Sequence, residues 1–432
     1  MPFVGEKRPR PFQRAANADG RRDMIRNVIG PYVIFDKSAI QMLTADEIEE
    51  LTHHFNFICV PTLMREIIAD LHKRPGRSSR IPEGVVRALA GRIGRMHPMT
   101  PPNFRRMAIS NLFGSPVPVD GRVPIDITAP QVTATDRIVS YDATLEQRIW
   151  QRWAGGNFSG EDLEVGHAWR AGLEIVNLKA LGKDWQRFLD SRIGRAESLQ
   201  DAVARVDHLM RQPLAAVQSD LLAVLIVFLR APAEAGARFV LQYALGGPVT
   251  ISDVAPYASA VLRLYLVFLA AVRYEFVTLR ASNYVDLQYL FYQPFCMGFA
   301  SNDALHRQLW DATSGPGLFI DGGRLKEDLS KRAAWRANLI EEERREHFET
   351  HGFYPVEMPG SVINDVWSRW VKPRAEYMPE LRRRTPVDEI PASVLEQIRR
   401  DIDDVKTAQK TKPPGFAGWP FGSSTAEESP LP

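Results

Sequence analysis

The chain has 432 residues, 45% of them hydrophobic, enough to bury a substantial core in two or three structural units. A formal charge of +2 is close to neutral, so only locally concentrated charge can speak for a polyanionic partner. Two cysteines, Cys59 and Cys296, both in apolar runs, argue against a disulfide framework and for reduced thiols in a cytoplasmic protein, and the polar, Arg- and Pro-rich start carries no apolar secretory leader.

Residues 1–28 read as a basic, flexible arm with Arg8, Arg10, Arg21 and Arg22 among its charges. The apolar run Tyr32-Val33-Ile34-Phe35 then predicts a strand that ends at Asp36, with a helix opening at Lys37. A second strand is expected over Phe57-Ile58-Cys59-Val60, followed by a helix from Thr62 to Leu71 whose Leu63, Ile67 and Leu71 are apolar. Glu66 lies beside that face and needs a cation or a partner there; Arg65 or Lys73 can supply a salt bridge, and a metal ion can serve equally.

From Lys73 to Arg106 the chain is densely basic, with Lys73, Arg74, Arg77, Arg92 and Arg95 as residues able to hold a phosphate backbone through counterion release. Taken alone, the same residues describe a solvated loop and helix face. The prolines and glycines between 107 and 140 read as an extended connection. Helical patterns follow over Ala143–Trp153, Gly160–Leu181 and Leu199–Arg211, then two apolar helices, Leu221–Leu229 and Tyr257–Phe276. The first of these is too short to span a membrane, and the second is interrupted by Arg263, Arg273 and Glu275, so both are expected to be buried helices of a soluble fold. Trp150, Trp153 and Trp169 at helical spacing are expected in packing; Tyr284, Tyr289 and Tyr292 near Asp286 have a better claim to touch substrate, with packing still the expected role.

Another strand-like run, Phe295 to Ala300, leads into Ser301-Asn302-Asp303, and Gly317–Asp321 predicts one more short strand. A long polar helix is expected over Leu325–Phe348 and a charged one over Ala392–Lys410, with a flexible tail from Pro413. His53-His54 reads as a surface pair on a helix. The His347-Phe348-Glu349-Thr350-His351 segment has its Glu one position late for a zinc-protease helix. No Gly-rich dinucleotide turn, phosphate loop, serine elbow or CxxC pair is present in the sequence, so dinucleotide enzymes, P-loop ATPases, serine hydrolases and zinc fingers find no support.

Asp36 and Asp303 each follow a predicted strand, and strand ends are where open α/β sheets place their ligands. Singly, Asp36, Asp286 and Asp303 each suit a helix cap. Converging, they and Glu66 would repel one another unless a hard divalent cation neutralised them.

In their order and local context these segments resemble the PIN-domain nuclease superfamily: the first strand with Asp36, the helix with Glu66, the stretch Tyr284-Val285-Asp286, and Ser301-Asn302-Asp303 as the Ser/Thr-x-Asp signature. The resemblance covers about a quarter of the chain, and where small PIN domains have a short helical segment roughly 200 residues intervene here, far beyond an ordinary loop. It implies a three-layer α/β/α fold with a central parallel sheet, interrupted by a mainly helical insertion. The organisation is then a PIN-like half in two parts, 30–72 and 283–330, around an insertion at 73–282, with charged helices at 331–410 and a tail at 411–432.

The resemblance further implies an endoribonuclease in which Asp36, Glu66, Asp286 and Asp303 hold Mg²⁺ or Mn²⁺, with Ser301 and Asp70 supporting those ligands and Lys37 joining the phosphate-binding residues. RNA is the expected partner, with no membrane insertion. A protein partner or a second copy can use the helical insertion. The competing expectation is a catalytically inactive PIN-like scaffold that works as an interaction module, since fold does not guarantee chemistry.

Overall fold

In the computed structural model, which describes residues 30–73, 81–124, 131–132, 139–140, 145–371, 373 and 400, the strands in chain order are β1 (Tyr32–Phe35), β2 (Asn56–Ile58), β3 (Gln131–Val132), β4 (Val139–Ser140), β5 (Gly298–Ser301) and β6 (Leu318–Asp321). Four of them make one all-parallel sheet in the order β2-β1-β5-β6, while β3 and β4 pair antiparallel in a separate ribbon. The described residues are 66% helical, so this is an α/β fold in which a small sheet carries a large helical body. The sheet strands are apolar without alternation because helices cover both faces, and Val33, Ile34, Phe35, Phe299 and Ile320 are all buried.

β1 pairs β5 in the register Val33 with Gly298, Ile34 with Phe299 and Phe35 with Ala300, and the ladder continues when Asp36 N–H donates to the Ala300 carbonyl at 3.0 Å. At the other end of β5, Leu318 N–H donates to the Met297 carbonyl at 3.0 Å. Gly317 permits that approach, because a Cβ there would stand 2.6 Å from the same carbonyl oxygen. Replacing Gly317 by Ala is expected to cost about 1 kcal/mol, as overpacking against unyielding backbone does. A lowered urea midpoint at unchanged slope is the expected reading, and an unchanged midpoint would mean that β6 does not pack this closely.

The helix Pro256–Arg273 has the length and mean hydropathy of a membrane span, yet Tyr257, Val261, Leu266 and Phe268 along it are buried in the same hydrophobic core as the sheet. Its Arg263 is held by Asp207, with Nε and Nη2 donating to the carboxylate at 2.5 and 2.9 Å. Trp150 and Trp153 are buried in that core as well.

Several expected boundaries differ for local reasons. Residues Phe104–Leu112, placed at the start of an extended connection, form a helix, capped where Asn103 Oδ1 accepts from Arg105 N–H at 2.9 Å. The helix expected over Gly160–Leu181 divides into Gly160–Ile175 and Leu178–Asp184, because Asn177 caps the second piece through Ala180 N–H. Leu325–Phe348 is likewise two helices, Gly322–Ala337 and Glu341–His351. The second restarts on Glu341, Glu342 and Glu343, whose negative charge suits a helix N-terminus, and Glu343 accepts from Ile340 N–H at 3.0 Å. The expected N-terminal arm, the charged helix over Ala392–Lys410 and the tail lie outside the described residues, save Arg400.

Candidate active site

The chain passes from β1 to β2 on one side and reaches β5 on the other, so the strand order reverses between β1 and β5, the switch point at whose C-terminal ends open α/β sheets form their ligand crevice. Asp36 leaves β1 there, and Ser301 ends β5. Asp36 is 4% exposed and caps the helix Lys37–Met42, its Oδ1 accepting from Ala39 N–H at 2.7 Å, and it also accepts from Ser38 Oγ at 2.8 Å. Across the sheet Ser301 Oγ reaches Asp36 Oδ2 at 2.5 Å, joining residues 265 apart in the chain.

Ser301, fully buried, fixes the protonation of its surroundings. Its single hydroxyl proton goes to the Asp36 carboxylate, and it accepts from Asp303 N–H at 2.9 Å. His306 Nδ1 stands 2.9 Å from the same oxygen and 3.3 Å from Asp36 Oδ2, while His306 Nε2 is 3.0 Å from the Asp286 carbonyl oxygen. That carbonyl can only accept, so Nε2 carries a proton, and with the Ser301 proton directed to Asp36 the second nitrogen is placed as a donor too, an arrangement that favours the charged ring. Burial alone would lower the His306 pKa, but the hydrogen bond to Asp36 and the charges of Asp36, Asp286 and Asp303 raise it above its ordinary 6.5.

Asp303 caps the helix Ala304–Thr313, its Oδ1 accepting from Leu305 N–H at 2.7 Å. Asp286 lies in the middle of the helix Ser282–Leu290 and caps nothing. Burial pushes its carboxyl up to about 7; His306 opposes the rise, and Asp303, Glu66 and Asp36 add to it. Four separate segments thus bring acids near enough for each to act on the charge of Asp286, although burial is the larger cause of its shift. Glu66 completes the set from the helix Pro61–Ala69. Burial raises its pKa against the pull of Lys37 and of Tyr289, whose hydroxyl donates to Glu66 Oε2 at 2.5 Å.

Neither Arg65 nor Lys73 is the partner of Glu66; Tyr289 is, and Arg65 lies over the Trp169 ring at 5.7 Å. Lys37 pairs with Asp70 at 2.7 Å and donates to the Glu66 carbonyl at 3.1 Å, so it braces the helix that carries Glu66. Arg92 donates to the carbonyls of Ile40 and Gln41 at 3.1 Å. Lys73 and Arg95 are exposed, and Arg74 and Arg77 lie outside the described residues. His306 is the site residue that sequence reasoning missed, together with the bond that makes Tyr289 the partner of Glu66. The one available signal was a histidine at the third position of the helix that Asp303 begins, where a polar ring must find a buried partner.

The donors around the crevice are carboxylate oxygens, the chemistry that a hard divalent cation takes. Among the described residues no three His, Cys, Asp or Glu side chains stand so that one ion is held by all of them. The positive charge at the centre is supplied by His306. No family model, no curated protein and no solved structure matches this chain.

Proposed function

We propose that this chain is a PIN-like, metal-dependent nuclease acting on RNA, with Asp36, Glu66, Asp286 and Asp303 as the residues that hold Mg²⁺ or Mn²⁺. What supports this reading is that these four acids come from four separate segments around the switch point of a parallel sheet and that Asp303, Glu66 and Asp36 act on the charge of Asp286, which burial drives up to about 7. A bound divalent ion supplies Lewis-acid activation of water and phosphate. Ser301 and Tyr289 orient the carboxylates of Asp36 and Glu66, Lys37 and Asp70 brace the Glu66 helix, and exposed Lys73 and Arg95 are available to a phosphate backbone.

A second reading has its own observation. Asp36 and Asp303 are engaged as helix caps and His306 already balances their charge, as suits an inactive scaffold that serves as an interaction module. Titration of Mn²⁺ followed by thermal shift separates the two without knowledge of the substrate. On the nuclease reading the wild type gains about 1.4 kcal/mol at a tenfold excess over Kd, and Asp36→Asn and Asp303→Asn abolish the gain. Single-stranded and duplex RNA and DNA are then screened for cleavage. A flat Mn²⁺ response with both Asn variants as stable as wild type would leave the scaffold reading in place.

A further inference from the structure

Two helices of the helical body, far from the sheet in sequence, share an apolar face that no described residue covers. The helix Ala215–Leu229 is closed by Arg230, and Gly236 then sits against it so tightly that a Cβ there would meet Leu222 and Ile226 at 3.1 and 3.3 Å. Further on, Tyr243 Oη donates to the Pro213 carbonyl at 3.2 Å. Tied at both places, the helix Ala237–Gly246 runs back along Ala215–Leu229 as an antiparallel hairpin.

The helix Ala237–Gly246 is apolar on two sides. Phe239 turns into the core. Ala237, Val240, Leu241, Ala244 and Leu245, at the i, i+3, i+4, i+7 and i+8 spacing of one helix face, are all exposed, and Val240, Leu241 and Leu245 are 59, 58 and 79% so. Leu214 and Val227, at the two ends of Ala215–Leu229, are 60 and 62% exposed. Exposed apolar side chains gathered in this way mark a binding surface. The one charge of this helix, Arg238, is turned from that face, its Nη1 donating to the Val254 carbonyl at 3.4 Å.

Charge and size choose the occupant. A helix that lies on lipid sets Lys or Arg beside its apolar face, and Arg238 points inward instead. Each helix is about 10 Å across and the longer about 22 Å long, so the face covers about 450 Å². Two such faces together bury about 900 Å², the size of a weak and reversible protein contact. Arg211 is exposed at the end of the hairpin where Tyr243 meets Pro213, and Glu234 is exposed at the end where the chain turns; among the described residues neither is in an ion pair. Arg230, also at the turn, is engaged within its own chain. A two-fold axis at Leu241 sets the hairpin antiparallel on a second copy, with Arg211 against the partner's Glu234 at both ends. The same rotation lays Ala237 opposite the partner's Leu245, small against large. The surface is thus its own complement in charge and in shape.

We propose that this face joins two copies of the chain in a reversible two-fold dimer, with Leu241 at its centre and Arg211 meeting Glu234 at each end. The contact is independent of the acidic crevice.

Sedimentation velocity of the full chain at increasing concentration tests it. The wild type is expected to pass from monomer to dimer as its concentration rises through the micromolar range. Leu241→Glu should weaken the dimer about tenfold without lowering Tm, because it sets two like charges against each other across the axis. Arg211→Glu and Glu234→Arg should each weaken it about tenfold, and the two together should restore it to about the wild-type affinity. A wild type that stays monomeric throughout, association untouched by Leu241→Glu, or a double reversal no tighter than the single changes would overturn the proposal. A monomer that instead cosediments with phosphatidylserine vesicles would give the face to lipid, and would overturn it too.

Discussion

Replacing His306 by Leu should destabilise the protein by about 3 kcal/mol at neutral pH, the size of effect seen when one partner of a buried ion pair is removed. The ring is 1% exposed and stands against both Ser301 Oγ and Asp36 Oδ2. Without it the Asp36 carboxylate keeps its bonds from Ser301, Ser38 and Ala39 but loses the positive charge beside it, and the Asp286 carbonyl loses its donor. Adding Asp36→Asn to His306→Leu removes the uncompensated charge, so the double variant should be less destabilised than the sum of the two single changes. Because the folded pKa of His306 lies above its ordinary 6.5, its contribution is fully present below 6.5 and fades as pH rises through the folded value. Urea unfolding of the four proteins at pH 6 and pH 9 checks both parts. Strict additivity of the two changes at pH 6, or a His306→Leu penalty that grows with pH, would exclude an imidazolium.

Asp286→Asn should have the opposite sign. The carboxyl of Asp286 rises from its ordinary 3.8 to about 7, so between those values the folded protein holds a proton that the unfolded chain has released, and stability falls as pH climbs. The full linkage, at 1.36 kcal/mol per pH unit, is about 4 kcal/mol, and relaxation around a side chain that is 17% exposed reduces this to about 2 kcal/mol. The Asn variant should therefore melt higher than wild type at pH 8 and match it at pH 3.5, below both values, in scanning calorimetry. On the proposed function the same substitution should blunt the Mn²⁺ response, so that a gain in stability accompanies a loss of metal binding. A variant less stable than wild type at pH 8 would mean that burial does not disfavour the charged form of Asp286.

The parts of this fold legible in the sequence were those written in contiguous residues. Apolar runs ending at Asp36 and Ser301 announced two strands and their ends, and Leu63, Ile67 and Leu71 marked the face beside which Glu66 stands. Features that depend on distant segments were not legible. Tyr289 reads as a packing residue until the helix Ser282–Leu290 lies against Pro61–Ala69 and its hydroxyl meets a carboxylate 223 positions away. His54 reads as half of a surface pair, yet its bond to Glu50 and the cover of Trp367 leave only His53 exposed. The helix breaks at Asn177 and Ile340 were missed because a local device outweighs a continuing helical pattern, the Asn177 cap in one case and the bond from Ile340 N–H to Glu343 in the other.

The sheet itself constrains how the chain is made. β1 and β2 leave the ribosome early, but β1 has its partner on the other side only once β5 has emerged, more than two hundred residues later. Until then Val33, Ile34 and Phe35 form one side of a two-stranded edge, a state that invites pairing with a foreign strand. The long helical stretch between can condense on its own local contacts during that interval, whereas joining β1 to β5 must wait for the closure of a very large loop. Synthesis, and not the finished fold, is then when this protein is most exposed to aggregation, and the acidic crevice is among the last features to exist.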